Sequence, residues 1–204
     1  MNGDSSSVPP PEGLPIQLTQ VTVHRVDATD RICYIDDGFR QAAGEAGVPQ
    51  LAEDVVGTWL FSAFAGYEAK LWYMVLLDHV RRWGAASVPF RCDTPVLKRW
   101  MTMKMTSMPQ GGIEFTSQLM QEEGRAKVDF LSWQGKRSLS MVVMCGWCKR
   151  IRSVIGWLEI EEAVNTLQVF KEAVPPSIEY GICDEDFSRI LSVLNFRESS
   201  NPYE

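Results

Sequence analysis

The sequence predicts an α+β fold, in which an antiparallel sheet carries helices on one face. Three features predict it: two short segments in which apolar and polar residues alternate, a long amphipathic helix, and three further strand-like runs. Runs of strands on either side of helices are typical of an antiparallel sheet with its helices gathered on one side. A pair of closely spaced cysteines further along the chain predicts a second, smaller module.

The first two strands are predicted to form a hairpin. Apolar residues alternate with polar ones over 16–26, and a second segment of this kind covers 31–35. The residues between these segments have turn-forming character. A capping sequence that begins at Asp36 predicts a short helix over 39–46, and Pro49 marks its end.

The segment 67–83 is the clearest helix in the sequence, and Gly84 ends it. At about 100° per residue, its polar residues cluster on one side; they are Lys70, Asp78, Arg81 and Arg82. The opposite side is apolar; its residues are Trp72, Leu76, Val80 and Trp83. His79 falls on this apolar side or its flank.

Three strands are predicted to follow the long helix, over 87–92, 97–108 and 112–120, and a hairpin turn joins the last two. The polar block 121–127 indicates a boundary. The sequence therefore divides into a flexible tail (1–15), an antiparallel-sheet domain (16–123), a linker (124–137), a cysteine module (138–196) and a second tail (197–204).

The order of these elements resembles the PAS domain over 16–123. The more specific part of the resemblance is the stretch Pro89-Phe90-Arg91-Cys92-Asp93-Thr94-Pro95, followed by Arg99. It is similar to the RCDSP stretch of a bacterial PAS-like family with a C-terminal cysteine module, with Thr94 in the place of serine. The resemblance implies a domain that binds a small ligand or a protein partner. Its candidate ligand-binding residues are His79, Arg91, Cys92 and Asp93.

Each candidate ligand-binding residue also has a purely structural interpretation. In haem-binding PAS domains a histidine on the corresponding helix ligates the iron, whereas a lone histidine beside an apolar face is more often hydrogen-bonded and packed. Both interpretations apply to His79. Arg91 and Asp93 either contact a ligand or form an ion pair that pins the end of a strand. Cys92 either faces the inner pocket of the sheet or serves as a small apolar residue.

The second module is built around a CxxC knuckle, Cys145 to Cys148, which follows a predicted strand over 139–144. Apolar residues at helical spacing then predict one helix that Pro175-Pro176 ends; they are Trp157, Ile160, Val164, Leu167 and Val174. A short strand is predicted over 178–182. A final amphipathic helix is indicated by Phe187, Ile190, Leu191 and Leu194.

Zinc takes four ligands in a tetrahedron, and a common site pairs a CxxC knuckle with two ligands on the first turn of a helix. Cys183 and Asp186 occupy that second place. They are three residues apart, so both face the same side of the first helical turn. The sequence therefore predicts a structural zinc site formed by Cys145, Cys148, Cys183 and Asp186.

Over 144–191 the module also resembles the C-terminal module of many bacterial PAS sensor proteins. Three stretches carry this resemblance: Cys-Gly-Trp-Cys-Lys-Arg-Ile-Arg, Gly-Trp-Leu-Glu-Ile-Glu and Tyr-Gly-Ile-Cys. This resemblance implies a small zinc-ribbon-like or treble-clef-like unit. In that family the last stretch reads His-Gly-Ile-Cys-x-x-Cys. Here Tyr180 stands in the place of the histidine, and Asp186 stands in the place of the fourth cysteine.

Two alternatives to a zinc site remain. In the first, Asp186 only favours the helix N-terminus through the helix dipole, and the three cysteines are small core residues of a site that has lost its metal. In the second, Cys145 and Cys148 form a reactive dithiol, because the basic residues that follow lower the pKa of a thiol.

Composition restricts the class of protein. The chain of 204 residues has a net charge of −6, which opposes broad binding to nucleic acids or anionic membranes. The first 15 residues lack the basic and apolar regions of a signal peptide, and no apolar run is long enough to span a bilayer. Five cysteines in a chain that is not exported are expected to be thiols or metal ligands. We therefore expect a cytoplasmic protein.

No catalytic motif is recognisable, since the sequence has no glycine-rich phosphate loop, no GxSxG and no HExxH. We therefore expect a non-enzymatic signalling or regulatory protein that acts as a homodimer or on a separate signalling protein, with a small-molecule ligand in the PAS-like pocket. The alternatives are a haem- or flavin-containing redox sensor, and a structural adaptor with a vestigial metal site.

Overall fold

The computed structural model describes residues 21–63, 66–132 and 135–195, which form two β-sheets with helices packed against them. The first part of the chain contains β1 (Val21–Val26), β2 (Ile32–Ile35), α1 (Asp37–Glu45), α2 (Pro49–Asp54), α3 (Tyr67–Trp83), β3 (Ala85–Arg91), β4 (Leu97–Ser107) and β5 (Ile113–Gly124). The second part contains β6 (Met141–Cys145), β7 (Ile151–Ser153), β8 (Gly156–Leu158), α4 (Ile160–Thr166), β9 (Ser177–Gly181) and α5 (Asp184–Asn195).

The first sheet has five strands in the order β2-β1-β5-β4-β3, and every neighbouring pair is antiparallel. Its side chains alternate between a buried and a more exposed face. Met103, Met105 and Phe115 lie on the buried face, where they share a core with helices α1, α2 and α3. Lys104 and Gln118 lie exposed on the other face. The predicted α+β class and the antiparallel sheet are thereby confirmed.

Helix α1 follows its predicted capping residue, Asp36, directly, so it starts two residues before the predicted start at 39 and ends at Glu45. The Asp36 carboxylate accepts a hydrogen bond of 2.7 Å from the backbone N–H of Phe39, which satisfies one of the unpaired donors of the first turn. Pro49 is predicted only to mark the end of the first helix, but it is also the first residue of α2. A proline fits that position because the first helical N–H has no partner within the helix.

Helix α3 has the predicted bounds and ends before Gly84, whose φ of +93° is costly for residues with a Cβ. Its buried residues include Leu76, Val80 and His79. Trp83 departs from the prediction, since it is 43% exposed. It lies in the last turn of the helix, next to the chain reversal into β3.

Two strands of the first sheet have bounds that differ from the prediction. Strand β3 ends at Arg91, so Cys92 lies just outside the sheet. Strand β5 continues to Gly124, where it pairs with Leu97. The polar residues at the end of β5 do not interrupt it, because their backbone groups are paired with β4 and their side chains are exposed.

The second sheet has four strands in the order β8-β7-β6-β9. Strand β6 is parallel to β9 and antiparallel to β7. The single helix predicted through Trp157 and Val174 is wrong. Trp157 pairs with Arg152 in the β7–β8 hairpin, and α4 ends at Thr166, because the next residue, Leu167, has an extended ψ of 126°.

The two sheets share a hydrophobic core. Trp147, Cys183 and Ile190 of the cysteine module belong to the same buried cluster as Met103 and Phe115 of the first sheet. A second cluster lies between β6, β7 and α4, and Val128 and Phe130, from the stretch 124–137, are buried in it. This stretch therefore packs against the cysteine module in the structure.

Some sequence predictions fall on residues outside those that the structure describes. These are the tails 1–15 and 197–204 and the first residues, 16–20, of the first predicted strand. Among the described residues, no helix is long and apolar enough to cross a membrane.

One half-buried histidine makes the stability of the first sheet depend on pH. His24 on β1 stacks on Phe115, with ring centroids 4.4 Å apart, and contacts the edge of Phe39. Desolvation lowers the pKa of His24 from 6.5 to about 4, against a weaker opposing effect of Asp36. The folded state therefore favours the neutral imidazole, whereas the unfolded chain accepts a proton below pH 6.5.

We expect the wild-type protein to lose stability as the pH falls from about 6.5 to about 4, because protonation of His24 then favours the unfolded state. The expected loss in unfolding free energy is roughly 2–3 kcal/mol, after allowance for the partial exposure of the ring. Urea denaturation at several pH values measures it. The variant His24→Phe keeps the stacked ring and should lose less stability than wild type over the same window; equal losses would contradict the prediction.

Candidate metal centre

Parallel pairing of β6 with β9 brings the two halves of the candidate metal centre together. In this register Cys145 lies opposite Gly181. The backbone N–H of Gly146 donates to the Gly181 carbonyl at 3.0 Å, which continues the pairing one residue further. The CxxC knuckle after β6 and Cys183 after β9 therefore emerge at the same edge of the sheet.

The knuckle is a tight turn between β6 and β7. The N–H of Cys145 donates to the Arg150 carbonyl at 2.7 Å, and the N–H of Lys149 donates to the Cys145 carbonyl at 3.1 Å. Lys149 has a φ of +65°, a left-handed conformation that closes the turn. This geometry turns both thiols of the knuckle toward α5.

The first turn of α5 supplies the other two donor atoms. The Cys183 carbonyl accepts a hydrogen bond of 2.8 Å from the N–H of Phe187. The N–H of Asp186 lies 3.4 Å from the Cys183 sulfur. Cys183 and Asp186 thus face the same side of the helix, as their spacing predicts.

The four donors converge on one point. One ligand atom each from Cys145, Cys148, Cys183 and Asp186 lies within 4.8 Å of every other. The Oδ2 atom of Asp186 is 3.2 Å from the sulfurs of Cys145 and Cys183, and the sulfurs of Cys148 and Cys183 are 3.6 Å apart. A tetrahedral zinc ion with ordinary Zn–S and Zn–O bonds needs edges of about 3.3–3.8 Å. The residues lie close enough to bind a metal ion.

Burial at this cluster makes uncompensated charge unfavourable. Cys145, Cys183 and Asp186 are each at most 1% exposed. Desolvation raises the pKa of the Asp186 carboxyl. Hydrogen bonds with the neighbouring thiols lower the pKa of Cys183 and raise that of Cys145. Since the three thiols and the carboxyl cannot all ionise in so small a space without a cation, a bound divalent metal would offset part of their charge, and Arg150 and Arg189 lie beside the donors to offset more.

Two arginines orient the donors from outside the cluster. Arg150 Nε lies 3.2 Å from the Cys148 sulfur, and its terminal nitrogen lies 3.4 Å from the Cys183 sulfur and 2.6 Å from Glu185. Arg189 donates to Oδ1 of Asp186, which leaves Oδ2 for the sulfurs. Such outer partners fix the direction of metal ligands. The sequence analysis missed Arg189, although its position three residues after Asp186 on the same helix face is a usable signal.

The alternative interpretations of the cysteines can now be placed in the structure. Asp186 does not only face the helix end, because its carboxylate contacts two sulfurs and Arg189. All five cysteines are free thiols. A close sulfur contact of 3.6 Å joins Cys148 to Cys183 across the two halves of the site.

The stretch around Arg91 forms a buried ion-pair network. Arg91 donates two hydrogen bonds to the Asp93 carboxylate and one, at 2.7 Å, to Glu159. Arg125 approaches the same Asp93 carboxylate at 2.7 Å. The Arg91 N–H also donates to the Trp147 carbonyl at 2.6 Å. The ion-pair interpretation of Arg91 and Asp93 is therefore confirmed, and the network joins the end of β3 to the cysteine module.

The candidate ligand-binding residues do not all line the same cavity. Cys92 is exposed and lines a cavity of about 220 Å³ between α1, α2 and the inner face of the first sheet. His79 is 8% exposed and lines a separate cavity of about 390 Å³ beside β3 and α5. Arg91, Cys92 and Asp93 together line a third cavity, of about 460 Å³.

Comparison with known proteins does not assign the chain to a family. No protein-family model matches it, and no curated protein matches significantly. The case for a function therefore depends on the site itself.

Proposed function

We propose that this protein is a non-enzymatic regulatory protein, in which a structural zinc ion fixes the cysteine module against a PAS-like ligand- or partner-binding domain. The observation that carries the proposal is the buried set of Cys145, Cys148, Cys183 and Asp186, with four donor atoms within 4.8 Å of one another. This set lies where the cores of the two sheets join.

The chemistry of the donors favours zinc over calcium and magnesium. Three thiolates and one carboxylate are ligands that zinc accepts in a tetrahedron, whereas calcium and magnesium prefer sites made only of oxygen ligands. All four positions of the tetrahedron are filled by protein side chains. A closed site of this kind is typical of a structural zinc ion, since a catalytic zinc keeps one position open for water.

The PAS-like interpretation of the first domain has separate support. Two strands, a set of helices ending in the long α3, and three further strands follow one another in the order on which the resemblance depends. The cavity between α1, α2 and the inner face of the sheet has room for a small ligand. The signal leaves through a surface contact with a second copy of the chain or with another signalling protein.

Elemental analysis and an absorbance spectrum of protein purified without a metal-binding tag test the proposal. We expect about one zinc ion per chain in the wild type and almost none in Cys148→Ser, because a closed tetrahedral site needs all four ligands. The matched control is Cys33→Ser, which replaces an exposed thiol on β2 and should retain the zinc. A colourless, zinc-free wild type would favour the adaptor alternative, and a haem or flavin band would favour the redox sensor.

The role of Asp186 can be tested by two substitutions of opposite effect. Asp186→Cys should bind zinc more tightly than the wild type, because a fourth thiolate is a stronger zinc ligand than a carboxylate with a raised pKa. Asp186→Asn should bind zinc at least about tenfold more weakly, since a neutral amide replaces the anionic ligand. Competition with a chromophoric chelator measures both affinities. Equal zinc affinity of all three proteins would show that Asp186 is not a ligand.

A further inference from the structure

A cavity lies between the two modules, outside the metal centre. It has a volume of about 460 Å³, within the range of small-molecule sites, which often form at domain interfaces. Its walls come from α3, the end of β3, the knuckle, α4 and β9. This cavity differs from the one between α1, α2 and the first sheet, where a PAS-like domain would be expected to bind its ligand.

The walls of this inter-module cavity are largely apolar. Phe90, Leu131, Met144, Ile160 and Ile178 line it. Tyr73 also lines it, and desolvation raises the pKa of this phenol to about 12. The ring is therefore uncharged at neutral pH and does not repel an anion.

Two cations line the same cavity without a carboxylate partner among the described residues. The Lys149 ammonium donates to the Gly146 carbonyl at 2.9 Å and lies 5.4 Å from the centre of the Tyr180 ring. The Arg137 guanidinium donates to the carbonyls of Phe130 and Pro176, each at 2.9 Å. Carbonyls and a ring face orient these cations, but they do not neutralise them.

The other charges at the cavity cancel. Arg91 is hydrogen-bonded to the carboxylates of Asp93 and Glu159, so its charge is neutralised within the network. Asp93 in turn is shared between Arg91 and Arg125. Glu68, close to Gly181, forms an ion pair of 3.7 Å with Arg152 and does not line the cavity. Among the residues that line the cavity, Lys149 and Arg137 therefore carry positive charge that no described carboxylate neutralises.

We propose that the inter-module cavity binds an organic anion, a carboxylate on an aromatic or aliphatic body, with its charge at Lys149 and Arg137 and its body against the apolar walls. This inference rests on the proposed ligand-binding function and names the class of ligand and its place. A ligand there contacts α3 and β3 on one side and the knuckle on the other, so its binding is sensed by both modules.

The test compares two probes of the same shape. 1-Naphthoate carries a negative charge, and 1-naphthamide is its neutral counterpart. Titration of each into isotope-labelled, zinc-loaded protein, followed by amide NMR shifts, gives the affinity and the place of binding. We expect naphthoate to bind about tenfold more tightly than naphthamide, because a charge-assisted hydrogen bond contributes about that difference in affinity. The largest amide shifts are expected at Gly146, Lys149 and Tyr180.

Two lysine variants test the source of this preference. Lys149→Gln removes the charge and keeps an N–H donor on a side chain that is one atom shorter, and it should lower the ratio of naphthoate to naphthamide affinity at least about threefold. Lys104→Gln is the matched control, because Lys104 is exposed on the outer face of the first sheet; its ratio should equal that of the wild type. Thermal unfolding of both variants checks that they remain folded.

Three results would overturn the inference: no shifts at the cavity with saturating naphthoate, equal affinity of the two probes in the wild type, or an unchanged affinity ratio in Lys149→Gln. Each of these results can be obtained with protein that contains one zinc ion per chain. Loss of the zinc site is detected separately by elemental analysis, so failure of the anion site and failure of the proposed zinc function are distinguishable.

Discussion

Cys183→Ser is expected to lower the free energy of unfolding by about 4 kcal/mol or more, because it removes a ligand of the proposed zinc ion at the point where the two cores join. Cys183 is 1% exposed, and its sulfur contacts Cys148 and Asp186. It also precedes α5, whose Ile190 is buried in the shared core. At about 2–4 °C per kcal/mol for a chain of this size, the melting temperature measured by circular dichroism should fall by about 8–16 °C.

Metal loss and lost packing are separated by a chelator. Treatment of the wild type with a strong zinc chelator should produce most of the same fall in melting temperature, because the donors are then left close together without a cation. Cys183→Ser itself should be insensitive to the chelator. Cys92→Ser is a control, since this exposed cysteine takes no part in the site. A chelator that removes all zinc without lowering the melting temperature of the wild type would contradict the structural role of the ion.

The second large effect is expected at Asp93. Asp93→Ala should lower the free energy of unfolding by about 3–5 kcal/mol, because it leaves two buried arginines without their shared carboxylate. The side chains of Asp93 and Arg125 are each 2% exposed, and that of Arg91 is 6% exposed. Urea denaturation followed by tryptophan fluorescence measures the change.

A surface ion pair provides the control for Asp93. Asp78→Ala breaks the pair between Asp78 and Arg82, which is 2.9 Å long with side chains 58% and 68% exposed. Exposed pairs contribute about 0–1 kcal/mol, so this variant should be nearly as stable as the wild type. Similar small losses in both variants would mean that the network around Asp93 does not hold the modules together.

The first sheet is predictable because its pattern is local and regular. Along β4, Met101, Met103 and Met105 alternate with Thr102 and Lys104, and such alternation specifies both the strand and its buried face. Helix α3 is predictable for the same reason, since one apolar face and a terminal glycine define it. Strand ends are less predictable: β5 continues through polar residues because β4 lies beside it.

The second module shows where periodicity misleads. Trp157 and Ile160 are three residues apart, which suits one helix face, yet Trp157 lies in a hairpin strand and Ile160 begins α4. Short segments of three to seven residues carry too few apolar positions to distinguish the two structures. Tertiary pairing of β7 with β6 decides the outcome.

The four residues of the candidate metal centre are predictable from spacing alone, because the CxxC knuckle and the Cys183–Asp186 pair each carry a local signal. The residues that orient them are not all predictable. Arg150 reaches Cys183 across 33 positions of the chain; in the separate ion-pair network, Arg125 reaches Asp93 across 32. Contacts of this kind depend on long-range strand pairing within each sheet, such as that of β6 with β9, which no local pattern specifies.

The parallel pairing of β6 with β9 also fixes an order of events during synthesis of the chain. All strands of the first sheet lie before residue 125, so they can pair while the ribosome is still translating the rest. Cys148 meets Cys183 only 35 residues later, after β9 and the start of α5 have emerged. Closing so long a loop has an entropic cost, and a metal ion at the proposed site would offset part of that cost only after the first sheet has been synthesised.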